Sequence, residues 1–218
     1  NYTITTATFS LRGDHGGKWR VSSEIMPPLG DSRLVRIVDA ASVEAARRSG
    51  AWLQCCPGCT QCCFGPFAIN VLDALRMRRG YDQITQDDPA RAARLKSRSL
   101  AWIARNVDAF PGDRDTGVLA EADPDFGGCG EDDACPALDP DTGLCELYES
   151  RPMTCRTFGP PARTADGAIG VCELCFDGAT DDQIAACLVD SYAGAVEAEL
   201  LERAGDRRQT VVAYCLAR

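Results

Sequence analysis

Leu34, Val35, Val38, Ala41, Val43 and Ala45 recur at steps close to the helical repeat, which predicts a helix over about residues 32–48, closed by Gly50. A second helix is expected after Asn70, a good N-cap, running over residues 71–79 and stopping at Gly80. Arg76, Arg78 and Arg79 would then sit where cations favour the helix dipole. The clearest helical signal opens at Asp88-Pro89, an N-cap followed by proline at the first helical position, and extends to about Phe110. Leu95, Trp102, Ile103, Val107 and Phe110 form its apolar face, and Arg91, Arg94, Arg98 and Arg105 fall on another. Further on, Asp181 is the expected cap of a long helix over residues 182–203, with Ile184, Leu188, Ala195 and Leu200 inward. Cys187 shares that inward face and reads as a core thiol; Gly205 ends the helix. Residues 210–216 read as a short helix or a strand, with helix favoured, and Cys215 in the core.

Alternation replaces the helical period only near the start, in the β-branched run of residues 2–11 and again in 19–26. A glycine-rich turn at residues 13–17, carrying His15, separates the runs, and Pro27-Pro28 stops the second. The expected organisation is therefore an N-terminal β-hairpin extension over residues 1–30, able to dock a protein partner, and a main domain over 31–218. The fold class is mainly α with small β elements (α+β), with irregular cysteine-rich loops between helices.

The longest irregular stretch, residues 113–141, holds ten acids. Pairing with the arginine stripe or plain solvation is the expected use of these charges. Within it, Asp139-Pro140-Asp141-Thr142-Gly143 lacks the downstream glutamate of a calcium loop and reads as a turn presenting Cys135 and Cys145. Residues 160–170 are a further polar loop.

A length of 218 residues suits one domain with its own hydrophobic core. The net charge of −9 repels polyanions and argues against nucleic acid as a partner. No apolar run of 18 residues exists to span a membrane. The chain begins at Asn1 rather than Met, which leaves a removed leading segment open.

Thirteen cysteines change the picture most. Five lie in residues 55–63, Cys-Cys-Pro-Gly-Cys-Thr-Gln-Cys-Cys, where Cys56, Cys59 and Cys62 are spaced three apart and Cys63 completes CxxCxxCC. Such spacing lets a loop turn several sulfurs toward one ion or cluster. Counting from Cys55 gives CxxxCxxC, so either Cys55 or Cys56 is a candidate ligand. That second count also matches the cysteines of radical S-adenosylmethionine enzymes, but the chain lacks repeated strand–helix units and has Gln61 where an aromatic is usual. Thiols this close would close very short loops as disulfides and gain little stability, which favours metal and a cytoplasmic location. With His15 the only histidine, a site must be built almost wholly of thiolates.

Cys135, Cys145 and Cys155 recur every ten residues, and Cys172-x-x-Cys175 adds a further pair. Cys56-x-x-Cys59-x-x-Cys62-Cys63, then Cys135-Pro136, Cys145 with Tyr148 and Arg151-Pro152-x-x-Cys155-Arg156, resemble the YkgJ-type cysteine-cluster proteins over about residues 50–180. The resemblance implies zinc or iron binding. A similar cluster in flagellin lysine methylase, which transfers methyl groups, extends it to an enzymatic alternative.

Cys55 or Cys56 with Cys59, Cys62, Cys63, Cys135, Cys145, Cys155, Cys172 and Cys175 would supply two four-thiolate sites with one to spare. Adjacent residues such as Cys62 and Cys63 point apart in extended backbone and are awkward for one tetrahedral zinc. An iron–sulfur cluster is therefore the expected cofactor, with zinc the alternative. Arg151 and Arg156 stand beside ligand candidates and could donate to cluster sulfurs, with Tyr148 packed alongside; pairing with nearby acids is the other reading of both arginines.

Overall fold

A computed structural model describes residues 27–121, 124–163, 167–189 and 193–218. The expected N-terminal hairpin and His15 lie outside the described residues. About half of the chain is helical, in a mainly α fold with small β elements.

The first helix, α1 (Asp31–Ser49), closes at Gly50, whose amide bonds back to Ala46. It buries Leu34, Val38 and Ala45, while Val43, expected inward, is exposed because it falls off that stripe. After the cysteine loop, β1 (Ile69–Asn70) leads into α2 (Val71–Asp87), with the Asn70 side chain accepting from the amides of Leu72 and Asp73. The stop expected at Gly80 is not there. Gly80 keeps a helical backbone and serves close packing instead: a Cβ would come within 2.3 Å of Ser150 Oγ. Arg76 is consequently buried in mid-helix, bound to Asp31 at 3.1 Å and Asp73 at 2.6 Å.

Asp88 ends α2 and starts α3 (Pro89–Asn106). Its amide donates to Ile84, and its carboxylate accepts from the Arg91 amide at 3.0 Å. Leu95, Trp102 and, just past the helix, Phe110 are buried as expected, with Ile103 and Val107 half-buried. The arginines of α3 are largely paired. Arg91 and Arg98 grip Glu146, and Arg105 meets Asp133 at 3.1 Å.

The short α4 (Met153–Thr157) carries Cys155. Past it, β2 (Ala162–Arg163) pairs antiparallel with β3 (Ile169–Gly170). The single helix expected over 182–203 is two. A capping box at Thr180 and Gln183 starts α5 (Asp181–Ala186), which stops at Cys187, and α6 is Ala193–Ala204. The cap is therefore Thr180, not Asp181, and Ala195 is exposed. Gly205 terminates α6 as expected. Finally β4 (Gln209–Thr210) pairs with β1, and α7 (Val212–Ala217) packs along α3 and α2.

The main core joins Leu34, Leu72, Leu75, Leu95, Leu200 and Leu216 from five helices, with Cys215 among them. A second cluster gathers Trp102, Phe110, Leu119 and Tyr214, and a small third one holds Cys172, Cys175, Phe176 and Cys187. Among the described residues, no helix is long and apolar enough to cross a membrane.

Candidate metal centre

All thirteen cysteines stand as free thiols. The cysteine loop leaves α1 through a single turn at Gly50–Trp52 and ends in a second, Gln61–Cys63. Main-chain bonds then fix it to a distant segment. The Cys135 amide donates to the Cys63 carbonyl at 2.6 Å, and the Gly65 amide to Asp133 at 3.1 Å. Cys135 and Cys145 are brought together by the turn between them: Leu138 bridges Cys145, Glu146 donates to Ala137, and the Asp139 side chain accepts from Thr142 and from the Asp141 amide. This is the turn expected from the sequence. A Cβ on its Gly143 would lie 3.7 Å from Gly58, so the turn sits against the cysteine loop.

The result is one group of five thiols: Cys62, Cys63, Cys135, Cys145 and Cys155. The tight turn makes neighbours of Cys62 and Cys63, contrary to the extended backbone assumed from sequence. The Cys63 thiol donates to Cys62 and lowers it, while that hydrogen bond, followed by burial, raises Cys63. The pair titrates as a unit. Burial pushes Cys135 up to about 12, with Cys145 and Cys62 adding to the rise and the amides of Ala137 and Leu138 opposing it. Cys155 is raised by burial, then by Cys135, Cys145 and Cys62. Burial also raises Cys145, opposed by the Leu147 amide and by Arg151. Neighbouring thiols that raise one another cannot all ionise alone; a cation among them would reverse that balance.

Cys55, Cys59, Cys172 and Cys175 form another group. The Phe176 amide donates to the Trp52 carbonyl at 3.0 Å, and the two rings stack with centroids 6.5 Å apart. This brings the 172–175 turn, closed by the Cys175 amide on the Cys172 carbonyl, onto the start of the cysteine loop. Cys55 is exposed at its surface yet pushed up to about 12, first by burial of its sulfur and then by Cys175, Cys172 and Cys59. Burial likewise raises Cys172, opposed by the Leu174 amide and assisted by Cys175 and Cys59. Cys56 is exposed as well, and Cys55 is the neighbour that feels Cys175, Cys172 and Cys59.

The arginine candidates are occupied elsewhere. Arg156 is buried, with Nη1 2.9 Å and 3.0 Å from the two Asp39 carboxylate oxygens, Nε donating to the Arg151 carbonyl and Nη2 to that of Glu149. These are the contacts of the acid-paired reading. Arg151 lies 3.8 Å over the exposed Tyr148 ring, and its charge is felt at Cys145. Asp73 went unnoticed in the sequence. Its carboxylate accepts the first amide of α4, that of Met153, at 2.9 Å, and its charge is felt at Cys155. Cys129 was also missed; it is buried with Trp102 and Phe110, its thiol 3.9 Å from the Asn106 carbonyl.

Among the described residues, no three His, Cys, Asp or Glu side chains close into a ready-made metal cage. The donor chemistry nonetheless fits one: grouped thiols, with amides of Ala137, Leu147 and Leu174 each two residues beyond the cysteine they oppose in rising. Holding a metal would require the sulfurs to draw together, as when site formation and folding are coupled.

A family model described as "CxxCxxCC: Putative zinc- or iron-chelating domain" matches residues 54–175. No curated protein and no solved structure matches the chain.

Proposed function

Because the chain belongs to the CxxCxxCC family, we propose that it is a metal-binding protein in which Cys62, Cys63, Cys135, Cys145 and Cys155 hold an iron–sulfur cluster. The observation that carries this reading is the meeting of five thiols from three separate segments, two of them adjacent in one tight turn. A tetrahedral zinc takes four sulfurs, whereas an additional neighbouring thiol suits a centre of more than one metal atom. Zinc is the alternative occupant. The role we assign is structural or electron-transferring, with a metal-dependent enzyme the alternative; the cavity beside Cys135, walled by Pro66, Phe67, Trp102 and Val212, has room for about one water.

Anaerobic purification with analysis of iron, zinc and acid-labile sulfide tests the proposal. Iron with matching sulfide and a visible charge-transfer band is expected. A stable, fully folded protein free of both metals would overturn it.

A further inference from the structure

The outer group of thiols, Cys55, Cys59, Cys172 and Cys175, has its own neighbours and its own supporting segment. We propose that these four residues form a second, separate site for a single divalent metal of zinc type. Cys175 is its hub. The Gln54 amide points at its sulfur, 3.4 Å away, which ties the 172–175 turn to the residue just before Cys55. A main-chain amide aimed at a sulfur is what a thiolate held by a metal needs from its surroundings.

Four sulfurs in two short turns match a tetrahedral ion. Cys172 and Cys175 belong to a CxxC turn closed by its own main-chain bond, and Cys59 is turned back on Cys56 by a 3.0 Å amide bond. The backbone is also fitted closely around Cys55: a Cβ at Gly159 would lie 2.8 Å from its sulfur, so this turn passes the sulfur only as glycine.

Energetics argue for a staple here. The surrounding apolar cluster consists of Cys172, Cys175, Phe176 and Cys187, with Trp52, Leu53, Ala179 and Ile184 against it. A cluster this small supplies little burial energy to hold residues 172–187 on the cysteine loop, and small units of this kind are commonly completed by metal. The family match begins at residue 54 and ends at residue 175, so Cys55 and Cys175 stand at its two edges.

The proposal does not depend on an iron–sulfur cluster in the inner group, and the experiment keeps the two apart. Full-length chain and two double variants, Cys135→Ser/Cys145→Ser and Cys172→Ser/Cys175→Ser, are purified anaerobically, assayed for iron and sulfide, then freed of metal and titrated with cobalt(II). The inner variant should still take up one cobalt per chain, with the intense absorption of tetrahedral thiolate coordination. The outer variant should take up one cobalt per chain fewer than wild type, while the iron and sulfide of the purified protein stay as in wild type. Absence of cobalt uptake by a folded inner variant, or an unchanged cobalt spectrum in the outer one, overturns the second site. A measurement on the unmutated protein covers misfolding of the variants. Cys55 and Cys56 are both exposed, yet only Cys56 should react with an alkylating reagent until a chelator is added; equal labelling of both before chelation would refute the proposal.

Discussion

Single side chains do two kinds of work around the thiols, and substitution separates them. Asp73 is buried, accepts from Arg76 and caps α4 two residues before Cys155. Asp73→Asn leaves Arg76 with Asp31 alone and weakens the cap, so a loss of about 3 kcal/mol in chemical denaturation is expected, the scale for breaking a buried pair. Arg156→Ala removes the donor serving Asp39 and two carbonyls. It should cost about 2 kcal/mol, the scale for unsatisfied buried acceptors, with metal content and reduction potential unchanged. A large shift in potential at unaltered stability would instead give Arg156 a direct role at the metal. Neither the place of Asp73 nor the thiols that Cys55 faces were legible in the sequence. Both depend on which distant segment a side chain faces, and spacing within nine residues carries no such information.

Elements were legible where their signals are local. Asn70, Asp88, Gly50 and Gly205 mark boundaries by satisfying their own helix's end groups, and each does so in the fold. Gly80 misled because its reason is tertiary: the Tyr148–Ser150 turn approaches α2 there. Propensity alone favours Gly80→Ala by up to about 1 kcal/mol. The clash with Ser150 should reverse the sign to a net loss of about 1–3 kcal/mol, as overpacking does. Combining it with Ser150→Gly should recover part of that loss in a double-mutant cycle. If Gly80→Ala proves stabilising, the close approach is wrong. The break between α5 and α6 was hidden for a related reason: a helical repeat continues in the sequence past Cys187, whose side chain is instead buried with Cys172 and Cys175.

Across the whole molecule, the regular helices and the thiol-bearing loops are stabilised by different means. The helices α1, α2, α3, α6 and α7 share the main core, which residues 133–147 reach through Ala137 and Leu147, whereas residues 55–63 and 172–187 are held by isolated main-chain bonds and a small cluster. Chelation should therefore be felt unevenly. Hydrogen exchange is expected to accelerate first in those loops and to stay slow in α2, α3 and α7. Uniform acceleration would mean that metal supports the core as a whole. The two thiol groups are also joined by a very short tether, since only Thr60 and Gln61 separate Cys59 from Cys62, and the Cys63 amide closes onto Thr60 at 2.8 Å. Whichever group takes metal first must immobilise this shared segment, and the second then binds to backbone whose entropy is already spent. With both groups intact, the first ion is then expected to raise the affinity for the second without any contact between the ions, a modest coupling that leaves each site able to fill when the other is removed.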